Sequence, residues 1–123
     1  VNTTLLIVIG LFTIKHFIMD VLCQTPYQFQ HKHILGHPGG IIHTSLHAFT
    51  SWLILGFIFG FLTHVVVIAV IFEFFAHYFI DFFKRNFTLM HKLTPADLNY
   101  WYVSIFDQLL HYLTYFCMIY YII

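Results

Sequence analysis

Four pairs of histidine and acidic or second histidine residues recur in this chain at a spacing of four. They are His16 with Asp20, His43 with His47, His77 with Asp81, and Asp107 with His111. Glu73 precedes His77 by the same interval, so one segment carries three such residues in line. On a helix, side chains four apart share a face, one turn apart. Imidazole nitrogens and carboxylate oxygens bind divalent cations, and they are also the groups that hold and move protons. The set can therefore bind metal, do general acid–base chemistry, or form a polar network of satisfied internal contacts.

The segments that position these residues are greasy. Hydrophobic residues make up 60% of the 123 and charged residues 8%, against roughly 25% charged in soluble domains. A soluble chain of this length could not hide so much Phe, Ile and Leu, whereas a bilayer accepts about 20 apolar residues per helical crossing. Net charge is zero, which gives no electrostatic footprint for nucleic acid. The fold class read from this is all-α, a polytopic membrane protein with one four-helix transmembrane bundle over residues 1–123.

Breakers divide the chain into spans. The first runs from about Thr4 to Gln24 and stops before Pro26; its start lacks the basic region and cleavage site of a signal peptide and reads as a retained span. A polar connection, "TPYQFQHKHILGHPGG", follows. The next apolar stretch exceeds one crossing and breaks near "GFLTHV" into helices of about 41–61 and 64–84. After "RNFTLMHKL", the segment "TPAD" predicts a helix start with Thr94 as N-cap and Pro95 at the first position. That helix runs to about Tyr121. Lys32, Lys84, Arg85 and Lys92 fall in or beside the two long connections, so the positive-inside rule places those connections in the cytoplasm and both termini outside. Cys23 and Cys117 then lie near opposite faces, too far apart for a disulfide.

All four pairs fall within the cytoplasmic halves of their helices, given about 1.5 Å of rise per residue. Agreement in depth between sequence-distant pairs is what a shared site requires. A carboxylate in lipid costs at least about 2.5–3.5 kcal/mol on insertion scales, which turns Asp20, Glu73, Asp81 and Asp107 inward toward partners. A divalent cation is one such partner, and His-rich ligands suit zinc or iron better than calcium. His16, Asp20, His43, His47, His77, Asp81, Asp107 and His111 exceed the ligands of one tetrahedral ion. Either two ions sit side by side or one ion has a hydrogen-bonded outer layer. Glu73, a turn deeper than His77, has three candidate roles: ligand, general base, or partner of Lys15. Gln24, Gln108, Ser104 and Thr114 extend the stripes and would orient ligands. His31, His33 and His37 have metal-binding types and spacing but read more simply as solvated loop histidines, and Gly39 and Gly40 as the turn into the second span.

The ordered motifs H-x-x-x-D-x-x-x-Q (His16, Asp20, Gln24), a loop lysine (Lys32), G-G-x-x-H-x-x-x-H (Gly39, Gly40, His43, His47), H-x-x-x-D-x-x-K (His77, Asp81, Lys84) and D-Q-x-x-H (Asp107, Gln108, His111) cover nearly the whole chain. Together they resemble a family of small prokaryotic and phage membrane proteins, the domain of unknown function 3307. The resemblance implies a four-helix protein of a prokaryotic inner (cytoplasmic) membrane whose polar pairs act together. It implies no particular activity, metal or substrate.

Three function classes follow. One is a membrane-embedded metal-dependent hydrolase of a lipid-like substrate, holding one or two ions of zinc or iron. Its first-choice ligands are His43, His47, His77 and Asp81, with Glu73, Asp107 or Asp20 as base. Another is a non-enzymatic subunit of a larger membrane assembly or homo-oligomer, stapled by metal or by polar pairs. Transport is disfavoured, because the outer halves of the spans carry few polar groups.

Overall fold

The computed structural model describes residues 2–123. Helix α1 spans Thr3–Phe17, with the Asn2 side chain accepting from the Leu5 amide at 3.3 Å, and passes into a π-helical turn at Ile18–Leu22. Short helix α2 covers Pro26–His31, α3 Pro38–Phe59, α4 His64–Met90 and α5 Leu98–Ile122. There is no strand among the described residues. α1 packs on α3 and α5, and α4 packs on the same two helices. The four long helices thus form a ring, with α1 and α4 on one diagonal and α3 and α5 on the other.

Local chemistry explains most of the boundaries. The Cys23 amide bonds back to the Ile18 carbonyl at 3.0 Å, closing the wide turn before Pro26. α2, within the connection where hydrophobic periodicity predicts no helix, starts with a full capping box: the Thr25 side chain caps Gln28 and Gln28 reaches back to the Thr25 amide. Pro26 at its first position needs no amide partner. α3 ends at Gly60, whose φ of +97° reverses the chain without the penalty a side chain would bring. The Trp52 indole N–H then donates to the Phe61 carbonyl at 3.0 Å and fastens this short turn.

Several expected boundaries move. α4 continues to Met90 rather than stopping near residue 84, since "RNFTL" holds no breaker; the chain leaves helical space at His91, with φ −91° and ψ 4°, and turns at Lys92, with φ +51°. The last helix begins at Leu98, so Thr94 is not its N-cap. The Asp97 amide bonds to the Thr94 carbonyl at 2.8 Å, and the Asp97 carboxylate accepts from the Thr94 amide at 2.7 Å and its hydroxyl at 3.0 Å. This closed turn uses the capping groups on each other and delays the helix by a turn. Gly39 and Gly40 lie inside α3. The role of Gly39 is close approach: a Cβ on it would sit 2.9 Å from the Tyr27 carbonyl and 3.2 Å from the His31 Cβ.

The bundle is divided along its length. Toward the termini and the Gly60 turn, Val8, Phe12, Leu55, Val66, Ala69, Met118 and Ile119 form a dry apolar core with the ring of Tyr115. Toward the long connections the interior is polar. α1 with its π turn, α3 and α4 are long and apolar enough to cross a membrane, with mean hydropathies of 2.1, 1.4 and 2.0 over their best windows. α5 has the length, but Asn99, Asp107, Gln108, His111 and its many tyrosines lower its hydropathy.

Candidate metal centre

Each of the four long helices delivers its pair into the polar half of the ring. His16, His43, His47, His77, His111, Asp81 and Asp107 are all buried, and Asp20 is partly open. Asp20 sits in the π turn, a feature found often at functional sites. From there its Oδ2 lies 3.2 Å from His16 Nε2, and its Oδ1 lies 3.3 Å from His43 Nε2 and 2.9 Å from His47 Nε2. Asp81 is the second hub. Its Oδ2 is 3.4 Å from His43 Nε2 and 3.3 Å from His77 Nε2, and its Oδ1 is 3.3 Å from His111 Nε2. His77 Nε2 and His43 Nε2 lie 3.3 Å apart.

These separations carry information. Ordinary N–H···O bonds centre near about 2.9–3.0 Å. A tetrahedral ion with metal–ligand bonds of about 2.0–2.1 Å sets its ligand atoms about 3.3–3.4 Å apart. Most of the contacts above match the second distance, and two Nε2 atoms converging at it is unusual for a pair held only by a hydrogen bond. Two groups of ligand atoms lie close enough to hold an ion: Asp20, His43, His47 and His77, and His77, Asp81 and His111. The donor set, three imidazoles with one carboxylate in the first group, suits zinc or iron. His77 belongs to both groups, and each of its nitrogens can serve one ion at a time.

The other expected residues surround these groups. Both His16 nitrogens are engaged, Nδ1 at 2.8 Å from the Tyr115 hydroxyl and Nε2 at 2.9 Å from the Gln108 amide oxygen. Asp107 stands beside His111, 3.5 Å from its Nε2, with Lys84 Nζ at 3.9 Å. Both residues border the groups rather than complete them. Glu73 lies outside both groups and takes the third of its candidate roles, ion-paired with Lys15. Lys15 Nζ also donates to Ser51 Oγ at 2.7 Å and to the Tyr115 hydroxyl at 3.4 Å. Lys15, Ser51, Glu73 and Tyr115 thus floor the site above the apolar core.

Ser51 and Tyr115 were not singled out from the sequence. Each lies four residues beyond a site histidine, His47 and His111, so extending the stripes by one turn finds them. Gln108 orients His16 as expected, while Gln24 bonds its own helix at the Asp20 carbonyl. Lys32 reaches in from the first connection, its Nζ 2.8 Å from Asp81 Oδ2, as an ion pair without hydrogen-bond alignment. The loop histidines have structural work: His31 and His37 stack at 4.2 Å, and His37 caps α3 by accepting from the Gly39 amide. Cys23 and Cys117 are exposed and unpaired.

The fold and the site define an all-helical protein with three helices long and apolar enough to cross a membrane and buried His/Asp groups able to hold a metal ion. No known protein family, curated protein or solved structure matches the chain.

Proposed function

We propose that the chain is a four-span metalloprotein of a prokaryotic inner membrane, related to the domain of unknown function 3307, with zinc or iron in the cytoplasmic half of its bundle. The observation that carries this is the convergence of Nε2 and carboxylate oxygens from four helices at the spacing of a tetrahedral ion's ligands. α5 counts as the fourth span because its outward positions Trp101, Ile105, Phe106, Leu109, Leu113 and Phe116 are exposed and apolar while Asp107 and His111 face inward. The long connections, in or beside which Lys32, Lys84, Arg85 and Lys92 fall, are cytoplasmic, with both termini outside.

The activity that suits such a centre is hydrolysis of an ester or phosphoester at headgroup depth. A divalent ion there polarises the scissile bond and makes water nucleophilic at neutral pH. His43, His47, His77 and Asp20 or Asp81 hold the ion, and Asp107, beside His111 and open to a cavity, is the base. Glu73 supports the scaffold through Lys15. Elemental mass spectrometry of the detergent-purified protein tests the metal directly. One or two equivalents of zinc or iron are expected, and His77→Ala should lose at least one, because His77 belongs to both groups. Absence of stoichiometric metal from protein purified without chelators refutes the proposal.

A second reading is favoured by the lysines. Lys32 against Asp81 and Lys84 near Asp107 already offset two carboxylates, as they would in a metal-free network stapling a small subunit of a larger membrane complex or homo-oligomer. Under that reading His77→Ala unfolds the bundle and no metal is found.

A further inference from the structure

Two cavities share walls at the edge of the metal groups. One, of about 180 Å³, is polar and lies between the π turn, α2, α4 and α5. The carboxylates of Asp20, Asp81 and Asp107 line it together with the cations of Lys32, Lys84 and Arg85. The other is an apolar groove of about 680 Å³ between α4 and α5, open to the outside of the bundle. Ala76, Phe79, Phe83, Val103, Phe106 and Leu110 form its walls. Lys84 and Asp107 line both spaces.

Three features say what fits. The three carboxylates and three cations of the polar cavity cancel, so each divalent ion in the adjoining groups leaves it net positive by two. Arg85 lines the polar cavity with its guanidinium carbon held over the Phe29 ring at 4.6 Å. A guanidinium held beside two lysines matches a phosphate better than any neutral group. From Lys84 the groove runs toward Ala76 and Leu110, about 12 Å along α4 and away from the basic connection. That is the direction an acyl chain takes from a headgroup at the cytoplasmic surface.

We propose that the two cavities hold one lipid carrying a phosphate monoester, its headgroup against Lys32, Lys84 and Arg85 and one acyl chain in the α4/α5 groove. The assignment names the substrate class of the metal centre and rests on that centre for its charge. Entry is lateral, through the gap between α4 and α5, with Lys84 at the junction of chain and headgroup.

Native mass spectrometry in a non-ionic detergent resolves zinc and lipid as separate mass increments in one spectrum. The zinc-loaded protein should bind one phosphatidic acid at least tenfold more tightly than phosphatidylcholine of the same chains. Lys84→Gln should remove that preference and Lys84→Arg retain it. Val103→Trp and the smaller Ala76→Leu should fill the groove, losing lipid of either kind while retaining zinc, which reports that they fold. Equal binding of the two lipids by zinc-loaded protein overturns the proposal, as does unchanged lipid binding by both groove variants. Inorganic phosphate that displaces phosphatidic acid at equal concentration also overturns it, since the groove then contributes nothing. A protein that takes up no zinc refutes the metal centre instead. The lipid arms are read all the same: a phosphatidic acid preference abolished by Lys84→Gln supports the headgroup assignment, and equal binding refutes it.

Discussion

Glu73 and Lys15 form an ion pair across the α1/α4 diagonal with side chains 0% and 2% exposed, which fixes what their removal should do. Glu73→Gln leaves the lysine ammonium in the bundle facing a neutral amide and the Ser51 and Tyr115 hydroxyls, with no carboxylate paired to it. Breaking a buried pair from one side costs about 3–5 kcal/mol, because the orphaned charge has no water to return to. Lys15→Met exposes the Glu73 carboxylate to the same penalty. Replacing both, as Lys15→Met with Glu73→Leu, removes the uncompensated charge, and exchanges of this kind are often neutral or stabilising. The double variant should therefore be more stable than either single one, with a coupling of several kcal/mol. Reversible unfolding in mixed micelles measures this cycle, with metal content followed in parallel. Single variants that each cost below about 1 kcal/mol and add in the double would refute the structural assignment. Glu73→Gln that keeps full stability but loses turnover irrecoverably would restore Glu73 as a base.

Other consequences are smaller in scale. His16→Gln removes the imidazole that lies 3.2 Å from Asp20 Oδ2; loss of such an outer contact should weaken metal binding by about 10–100-fold with the fold intact, as competition with a chelator would show. Gly39→Ala drives a Cβ against the Tyr27 carbonyl, so α2 must shift off α3 at a cost of about 1–3 kcal/mol, measurable in the same unfolding assay. The Thr94 amide and then its hydroxyl hold the Asp97 carboxyl below the usual carboxylate range. Its folded pKa is depressed, so its contribution is present above the unfolded carboxylate pKa and lost as pH falls through the folded one. The protection of the Thr94 amide, taken against its intrinsic exchange rate at each pH, should fall on acidification, and Asp97→Ala should show that low protection at neutral pH.

The sequence by itself determined the helical class, the long apolar segments and the stripes that carry chemistry. Those follow from local rules: apolar runs in lipid must be helical to satisfy their backbone, and a spacing of four fixes a face. The break at Gly60 and the depth of the pairs follow from the same rules. Where neighbouring side chains competed for the backbone, reading along the chain failed. Thr94 and Asp97 bonded each other instead of capping a helix, and Thr25 with Gln28 nucleated one that hydrophobic periodicity gave no sign of. Only the tertiary structure decided which partner each polar group took. A stripe gives a direction, but distance comes from the rotation and crossing of helices far apart in sequence. So Glu73 went to Lys15, 58 residues away, Lys32 came in from a connection to Asp81, and the π turn aimed Asp20 at two helices at once. The cavities beside the site are a property of packing, and no single segment encodes them.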